Sequence, residues 1–435
     1  MDLVFSAPDG IGGTIIPPPD KSITHRVLML ASVSLGTCRI RNPLYTGDCL
    51  STLGCIEELG ITVNREGFKQ ERELLIEGRG VRGYREPVHV LDAGNSGTTL
   101  RLLSGLLAGL PIYAVITGDD SLLNRPMGRI TEPLRQMGAH ISGRRNASLA
   151  PLTFLPGKGS LHGMDYELSI PSAQVKSSIL LAGLKSEDSI VLRGRIDSRD
   201  HTERILKFLG LPIESDNGSI VLHPGGVVPD FVVTVPGDIS SASFFIAASL
   251  LSGKKLTVES CGLNPTRLGF VEVLRRMNAA IRVTEERSEM GEPVGSITVE
   301  ASRLEGISLK GEDIPGMIDE LPLLAAVAMA CEGVTVVHGA EELRHKESDR
   351  LETTASMIRA LGGEIEVYED GFEIEGPQSL RPGVVESKGD HRIAMTAAVL
   401  STIAGNVRVV GFDAASVSYP SFADDFISLG GRIDN

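Results

Sequence analysis

The chain has 435 residues, 42% hydrophobic and 23% charged, which excludes a disordered or collagen-like protein and suggests two or three domains. A net charge of −14, 4% aromatics and no tryptophan argue against nucleic-acid binding, so an anionic ligand must be met by a local basic cluster. No run of about 18 apolar residues predicts a membrane span, and residues 1–9 lack the pattern of a secretory signal. The five cysteines form no C-x-x-C pair or zinc-ligand spacing, so reduced thiols and a cytoplasmic location are expected, with no metal site.

Read in chain order, one pattern occurs six times. Its marker is a helix-ending phrase: Leu59-Gly60-Ile61, Met137-Gly138-Ala139, Leu209-Gly210-Leu211, Met277-Asn278-Ala279, Leu361-Gly362-Gly363 and Leu429-Gly430-Gly431. A spacing of roughly 70 residues is too long for a solenoid turn and long enough for a βαβ-type unit. Each unit begins with a helix that is apolar nearly all round and therefore buried: 22–34, 96–108, 173–184, 241–252, 319–331 and 391–404. A short β-branched strand follows, as at 334–337 and 407–410. Next comes an amphipathic helix such as 350–361, whose closing Gly suits a left-handed cap. A hairpin ends the unit, for example 364–368 with 371–375. The sixth unit lacks its hairpin partner, and the strands within residues 2–16 are expected to complete it. The division expected is residues 1–16 with 237–435 as one domain and 20–234 as the other. Proline-bearing hinges lie near 17–19 and 235–237.

Every buried helix is entered through a polar phrase. Ser, Asp and Asn there read as ordinary N-caps. Capping does not account for Lys21, Arg26, Arg101 and Arg392, because a cation near a helix N-terminus opposes the macrodipole. Those cations make sense if anions bind there with the free backbone N–H groups. Arg125, Lys176, Arg199, Lys346 and Arg350 extend the basic set, and Asp319, Glu347 and His391 stand beside it as acid–base groups. No P-loop is present, and no cysteine lies in these phrases to act as a nucleophile.

These phrases resemble those of the EPSP synthase family of enolpyruvyl transferases. They are Asp20-Lys21-Ser22-Ile23-Thr24-His25-Arg26, Gly94-Asn95-Ser96-Gly97-Thr98, Arg125-Pro126-Met127, Ser172-Ala173-Gln174, Arg199-Asp200-His201-Thr202-Glu203, Ile318-Asp319-Glu320-Leu321-Pro322, Lys346-Glu347-Ser348-Asp349-Arg350 and Asp390-His391-Arg392. They run in family order from residue 19 to about 420. The resemblance implies an α/β fold of two domains, each of three repeated βαβαββ units around buried helices, closing over the substrates. It implies a transferase of the shikimate pathway to aromatic amino acids, in which shikimate 3-phosphate and phosphoenolpyruvate give 5-enolpyruvylshikimate 3-phosphate and phosphate. No cofactor is implied, glyphosate is an expected competitor of phosphoenolpyruvate, and a monomer is expected.

By resemblance, shikimate 3-phosphate binding falls to Lys21, Ser22, Arg26, Ser172, Ala173, Gln174, Arg199, Asp319 and Lys346. Phosphoenolpyruvate binding falls to Lys21, Gly97, Arg125, Gln174, Lys346, Arg350 and Arg392. The catalytic candidates are Asp319 for the hydroxyl proton and Glu347 for the methylene proton, with Lys21 and His391 as alternative carriers. Two positions depart from some relatives. Ala173 replaces a second Ser, a loss Lys176 is expected to offset. Val417 replaces a Lys, for which Lys346 is expected to substitute.

Three rival readings fit the sequence less well. A transferase acting on UDP-N-acetylglucosamine would share the fold, but its Lys-Asn pair and loop cysteine are missing, since Ser22 follows Lys21 and Met127-Gly128 follow Arg125-Pro126. An RNA 3′-phosphate cyclase would share the small unit but need a nucleotide-transfer site. A binding-only, inactive relative would not require Asp319 and Glu347 near bound anions.

Overall fold

In a computed structural model describing residues 1–68, 72–216 and 218–434, the six apolar stretches form helices at Lys21–Ser32, Gly97–Leu107, Ala173–Gly183, Ile239–Ser252, Leu321–Ala328 and His391–Ala404. Five are started by a side chain at the cap position. Asp20, Ser96, Ser172, Asp238 and Asp390 each accept a hydrogen bond from a backbone N–H of the first turn. The fifth helix is shorter than expected, because a 3-10 turn at Ile318–Glu320 precedes Pro322 at its first turn. The six helix-ending positions all take positive φ, from +70° at Asn278 to +109° at Gly430. This left-handed cap explains why five of them are Gly and the sixth is Asn.

Each helix pair carries a four-stranded sheet, six in all among the described residues. Every sheet has the same order. A parallel edge strand comes first, then the strand that follows the buried helix, then the second and first strands of the hairpin. In the fifth unit the order is Ser308–Leu309, Gly333–Val337, Phe372–Gly376 and Glu366–Val367, with Val336 opposite Ser308 and Val367 opposite Phe372. Each unit is thus a βαβαββ module.

The chain ends correct one expectation. Leu3–Ser6 does enter the sixth sheet, pairing antiparallel with Val407–Val410 and Arg432–Asp434. Gly13–Ile15 does not; it pairs parallel with Leu256–Gly262 in the fourth sheet. The first sheet takes its parallel edge from Val232–Thr234, beside Leu35–Arg41. The reason is connectivity: a module needs an edge strand on the open side of its central strand, and modules one and four each recruit one from a distant part of the chain.

Two compact units result. Unit 1 is Met1–Pro18, Pro236–Arg287 and Pro293–Asn435; unit 2 is Pro19–Val235 and Ser288–Glu292. Each has its own apolar core built on three buried helices. The grouping of Ser288–Glu292 with unit 2 differs from the undivided 237–435 segment expected from sequence. Met290 enters the unit 2 core, Glu292 lies 2.7 Å from His201 Nδ1, and Gly291 O accepts from Arg204 Nη1 at 2.9 Å. No helix of the described residues is long and apolar enough to cross a membrane.

Candidate active site

In each unit the polar starts of three buried helices are tied together by side chains. In unit 2, Arg101 Nη1 donates to Gln174 Oε1 at 2.6 Å, and Gln174 Nε2 donates to Thr98 Oγ1 at 3.1 Å. This couples the helices that start at Gly97 and Ala173. Lys21 Nζ lies 3.2 Å from Asp48 Oδ2, a partner the sequence reading missed. Asp48 sits in the first turn of the helix Gly47–Glu58, where an acidic residue looks like ordinary macrodipole compensation. Arg125 Nη2 donates to Asn95 Oδ1 at 2.9 Å and Ser121 Oγ at 3.3 Å. A Cβ placed on Gly97 would stand 2.9 Å from Arg101 Nη1 and 3.4 Å from Arg125 Nη1. Backbone and guanidinium groups therefore crowd one small space at this helix start.

Arg26 is buried and donates to Thr202 Oγ1, Ser22 O and Ser177 Oγ at 2.8–2.9 Å. Burial lowers its pKa to about 10, against the pull of Glu203 and Asp20. Ser22, Ser172, Ala173, Gln174 and Arg199 remain partly exposed. Arg199 is near enough to Arg26 to oppose its charge. Lys176 does not join this group. It is 1% exposed and donates to Ile196 O and Ser198 O at 3.1 and 3.0 Å, with Glu203 Oε1 at 2.7 Å. Its ammonium is held by internal oxygens, so it does not compensate for Ala173. Much of the 199–203 phrase is likewise internal scaffold, since His201 meets Glu292, Thr202 meets Arg26 and Glu203 meets Lys176.

Unit 1 is denser in charge. Asp319 is the meeting point of three cations: Arg350 Nη1 at 3.2 Å and Lys346 Nζ at 3.5 Å from Oδ1, and Arg392 Nη2 at 3.9 Å from Oδ2. Arg350 is 1% exposed. It donates Nε to Asp390 Oδ2 at 2.9 Å and Nη2 to both Glu347 Oε2 and Asp390 Oδ1. Burial opposes charge on Arg350, but Asp390, Glu347 and Asp319 outweigh it and hold its pKa above the usual guanidinium value. Asp390 shows the converse. Burial pushes it up, while Arg350 and His391 pull it below the usual carboxylate range. Ser348 Oγ also donates to Asp390 Oδ2, at 2.9 Å. Arg392 Nη1 donates to Asp319 O at 2.8 Å and Glu320 Oε1 at 3.1 Å, and Nη2 donates to Ser240 Oγ at 2.8 Å. His391 is buried at the first position of its helix, beside Asp390.

The structure thus gathers Asp319, Lys346, Glu347, Arg350, His391 and Arg392 in unit 1, and Lys21, Ser22, Arg26, Gly97, Arg125, Ser172, Ala173, Gln174 and Arg199 at the helix starts of unit 2. Glu320, Asp390 and Asp48 are charged partners of these residues, of which sequence reasoning gave only Asp390 a role, as a helix cap. Among the described residues no group of three or more His, Cys, Asp or Glu side chains is placed to hold a metal ion. Oriented carboxylates beside forked guanidinium donors suit proton transfer next to a bound phosphate or carboxylate.

Comparisons with known proteins over the whole chain agree on one family. The family described as EPSP synthase (3-phosphoshikimate 1-carboxyvinyltransferase) matches residues 6–426. The chain is 44% identical over 97% of its length to a 3-phosphoshikimate 1-carboxyvinyltransferase of Bacillus cytotoxicus, covering 98% of that protein. It is 47% identical to one of Roseiflexus castenholzii, with 96% of each chain covered. The EPSP synthase structure from Acinetobacter baumannii superposes with a TM-score of 0.87 at 35% identity, covering both chains completely. With the family match, module architecture and whole-length similarity in agreement, the chain belongs to the EPSP synthase family, the 3-phosphoshikimate 1-carboxyvinyltransferases.

Proposed function

We propose that this chain transfers the carboxyvinyl group of phosphoenolpyruvate to the 5-hydroxyl of shikimate 3-phosphate and releases phosphate. Family membership supplies the reaction. The observation that carries the reading is Asp319, a carboxylate held in place by Lys346, Arg350 and Arg392 with Glu347 on the same guanidinium. Shikimate 3-phosphate is assigned to Ser22, Arg26, Ser172, Ala173, Gln174, Arg199, Asp319 and Lys346. Phosphoenolpyruvate is assigned to Gly97, Arg125, Gln174, Lys346, Arg350 and Arg392, and Lys21 is assigned to both. Arg350 has most of its donors committed to carboxylates, so its contribution is chiefly its field.

The chemistry is an addition followed by an elimination. Asp319 takes the proton of the 5-hydroxyl as its oxygen bonds to the central enolpyruvyl carbon. Glu347 delivers a proton to the methylene carbon, with Lys21 and His391 as the other carriers. The tetrahedral adduct then returns a methyl proton and expels phosphate, whose developing charge Arg125, Arg350 and Arg392 stabilise. Glyphosate is proposed to compete with phosphoenolpyruvate, and a cytoplasmic monomer is the proposed form. The test is phosphate release from phosphoenolpyruvate with and without shikimate 3-phosphate. Release only when both are present supports the reading. Binding of both without release supports an inactive relative, and release with UDP-N-acetylglucosamine instead moves the acceptor.

A further inference from the structure

We infer that Glu320 is a positioning residue, which fixes Arg392 so that one edge of its guanidinium faces the anionic substrate. The inference rests on the assignment of Arg392 to phosphoenolpyruvate made above. The repeat is irregular at the helix that follows Glu320. Five buried helices are capped by the side chain at their cap position, whereas Glu320, in that position on the helix Leu321–Ala328, makes no capping bond. Its carboxylate is only 4% exposed and reaches sideways. Oε1 accepts from Ser240 Oγ, at the start of one neighbouring buried helix, and from Arg392 Nη1, at the start of the other. A buried carboxylate needs such partners, and a helix N-terminus favours its charge.

The donor inventory then decides what Arg392 has left. Ser240 has one hydroxyl proton, which goes to Glu320, so Ser240 Oγ accepts from Arg392 Nη2 at 2.8 Å. Both Nη1 hydrogens are committed, to Asp319 O and Glu320 Oε1. Asp319 Oδ2, 3.9 Å from Nη2, is beyond hydrogen-bond reach. The Nε hydrogen and one Nη2 hydrogen remain, enough for two parallel bonds to a carboxylate or phosphate. Three acceptors hold the guanidinium from one side, and Glu320 organises two of the contacts, directly and through Ser240.

Steady-state kinetics of Glu320→Gln, Arg392→Ala and the double variant test this, with folding checked by circular dichroism. Glu320→Gln is expected to raise KM for phosphoenolpyruvate about tenfold, the size of one charged hydrogen bond, without a matching rise in KM for shikimate 3-phosphate. In the Arg392→Ala background it is expected to add nothing to that constant. An unchanged KM for phosphoenolpyruvate, an equal rise in both constants, or a full effect persisting without Arg392 would overturn the inference. If Arg392→Ala alone leaves phosphoenolpyruvate kinetics unchanged, the assignment of Arg392 fails first and the inference falls with it. Should Glu320→Gln not fold, Ser240→Ala decides. It removes the bridging hydroxyl, and a raised KM for phosphoenolpyruvate supports the junction while wild-type values overturn it.

Discussion

Replacing Arg350 with Leu isolates the electrostatic centre of unit 1. Arg350 is 1% exposed and Asp390 0%, and two bonds run between them, from Nε to Oδ2 at 2.9 Å and from Nη2 to Oδ1 at 3.4 Å. Asp319 and Glu347 use the same guanidinium from less buried positions. Leu fills the space of the stem but leaves Asp390 charged and buried, so the loss is set by an uncompensated ion rather than by packing. Breaking a buried pair in this way costs about 3–5 kcal/mol. Because the chain has no tryptophan, urea unfolding is best followed by circular dichroism. The pH dependence carries the sharper test. In the wild type Asp390 titrates below its unfolded value, so its contribution is full above about pH 4 and is lost as pH falls through the folded value. In the variant burial acts without Arg350, so the folded pKa rises above the unfolded one and the penalty shrinks on acidification. Both effects narrow the stability gap toward acid. Adding Asp390→Asn to Arg350→Leu should recover part of the loss at neutral pH. A loss below about 1 kcal/mol, or a gap that widens on acidification, would refute the reasoning.

Three further outcomes follow from the geometry. Asp319→Asn keeps the shape of the side chain and is expected to lower kcat by about 100-fold or more, with shikimate 3-phosphate still bound by calorimetry; unchanged turnover removes Asp319 from the mechanism. Gly97→Ala places a methyl 2.9 Å from Arg101 Nη1 and 3.4 Å from Arg125 Nη1, so the Arg101 guanidinium must shift while the methyl comes into ordinary contact with Arg125. KM for phosphoenolpyruvate and the inhibition constant for glyphosate should both rise, and unaltered values for both would separate Gly97 from that site. His25 is fully buried, and burial, with Lys21 and Arg26 adding to it, holds its pKa well below the usual imidazole value. The unfolded chain takes up a proton near pH 6.5 that the folded chain refuses. Stability is therefore full above that pH and falls below it by up to about 1.4 kcal/mol per pH unit. His25→Asn should flatten this slope, and equal slopes from urea midpoints at about pH 6.5 and about pH 5.5 would count against it.

The repeat was legible because it is written in local physics. A left-handed cap demands Gly or Asn, so positions 60, 138, 210, 278, 362 and 430 announce themselves without any tertiary information. Buried helices are similarly visible as stretches lacking a polar face. The destination of Gly13–Ile15 was not visible, because a three-residue strand carries no signal for which of several open sheet edges it will join. At the site, sequence showed which residue types were present but not where their side chains turn. Lys176 and Arg392 are both basic residues near helix starts; one points at internal carbonyls and Glu203, the other at a junction with two donors to spare. Glu320 and Asp48 were hidden because an acidic residue in a first helical turn already has an ordinary explanation.

That ordinary explanation bears on the mechanism. The cations at these helix starts first suggested bound anions, yet the protein supplies many of the counter-charges itself: Asp48 for Lys21, Glu320 for Arg392, and Asp390, Glu347 and Asp319 for Arg350. Such balance lets several like charges lie close together before a substrate arrives. It also gives Asp319 a second effect in the proposed reaction. Lys346, Arg350 and Arg392 all face its carboxylate. When Asp319 accepts the hydroxyl proton it ceases to be their counter-ion. Their field then falls more fully on the phosphate and carboxylate of the tetrahedral adduct, at the step where negative charge must be bound before phosphate leaves. Proton uptake and charge stabilisation are thus coupled through one side chain. Asp319→Asn, neutral from the start, should therefore bind phosphoenolpyruvate at least as well as the wild type while failing to turn it over. Weakened phosphoenolpyruvate binding in that variant would show that Asp319 serves mainly to hold the cations in place.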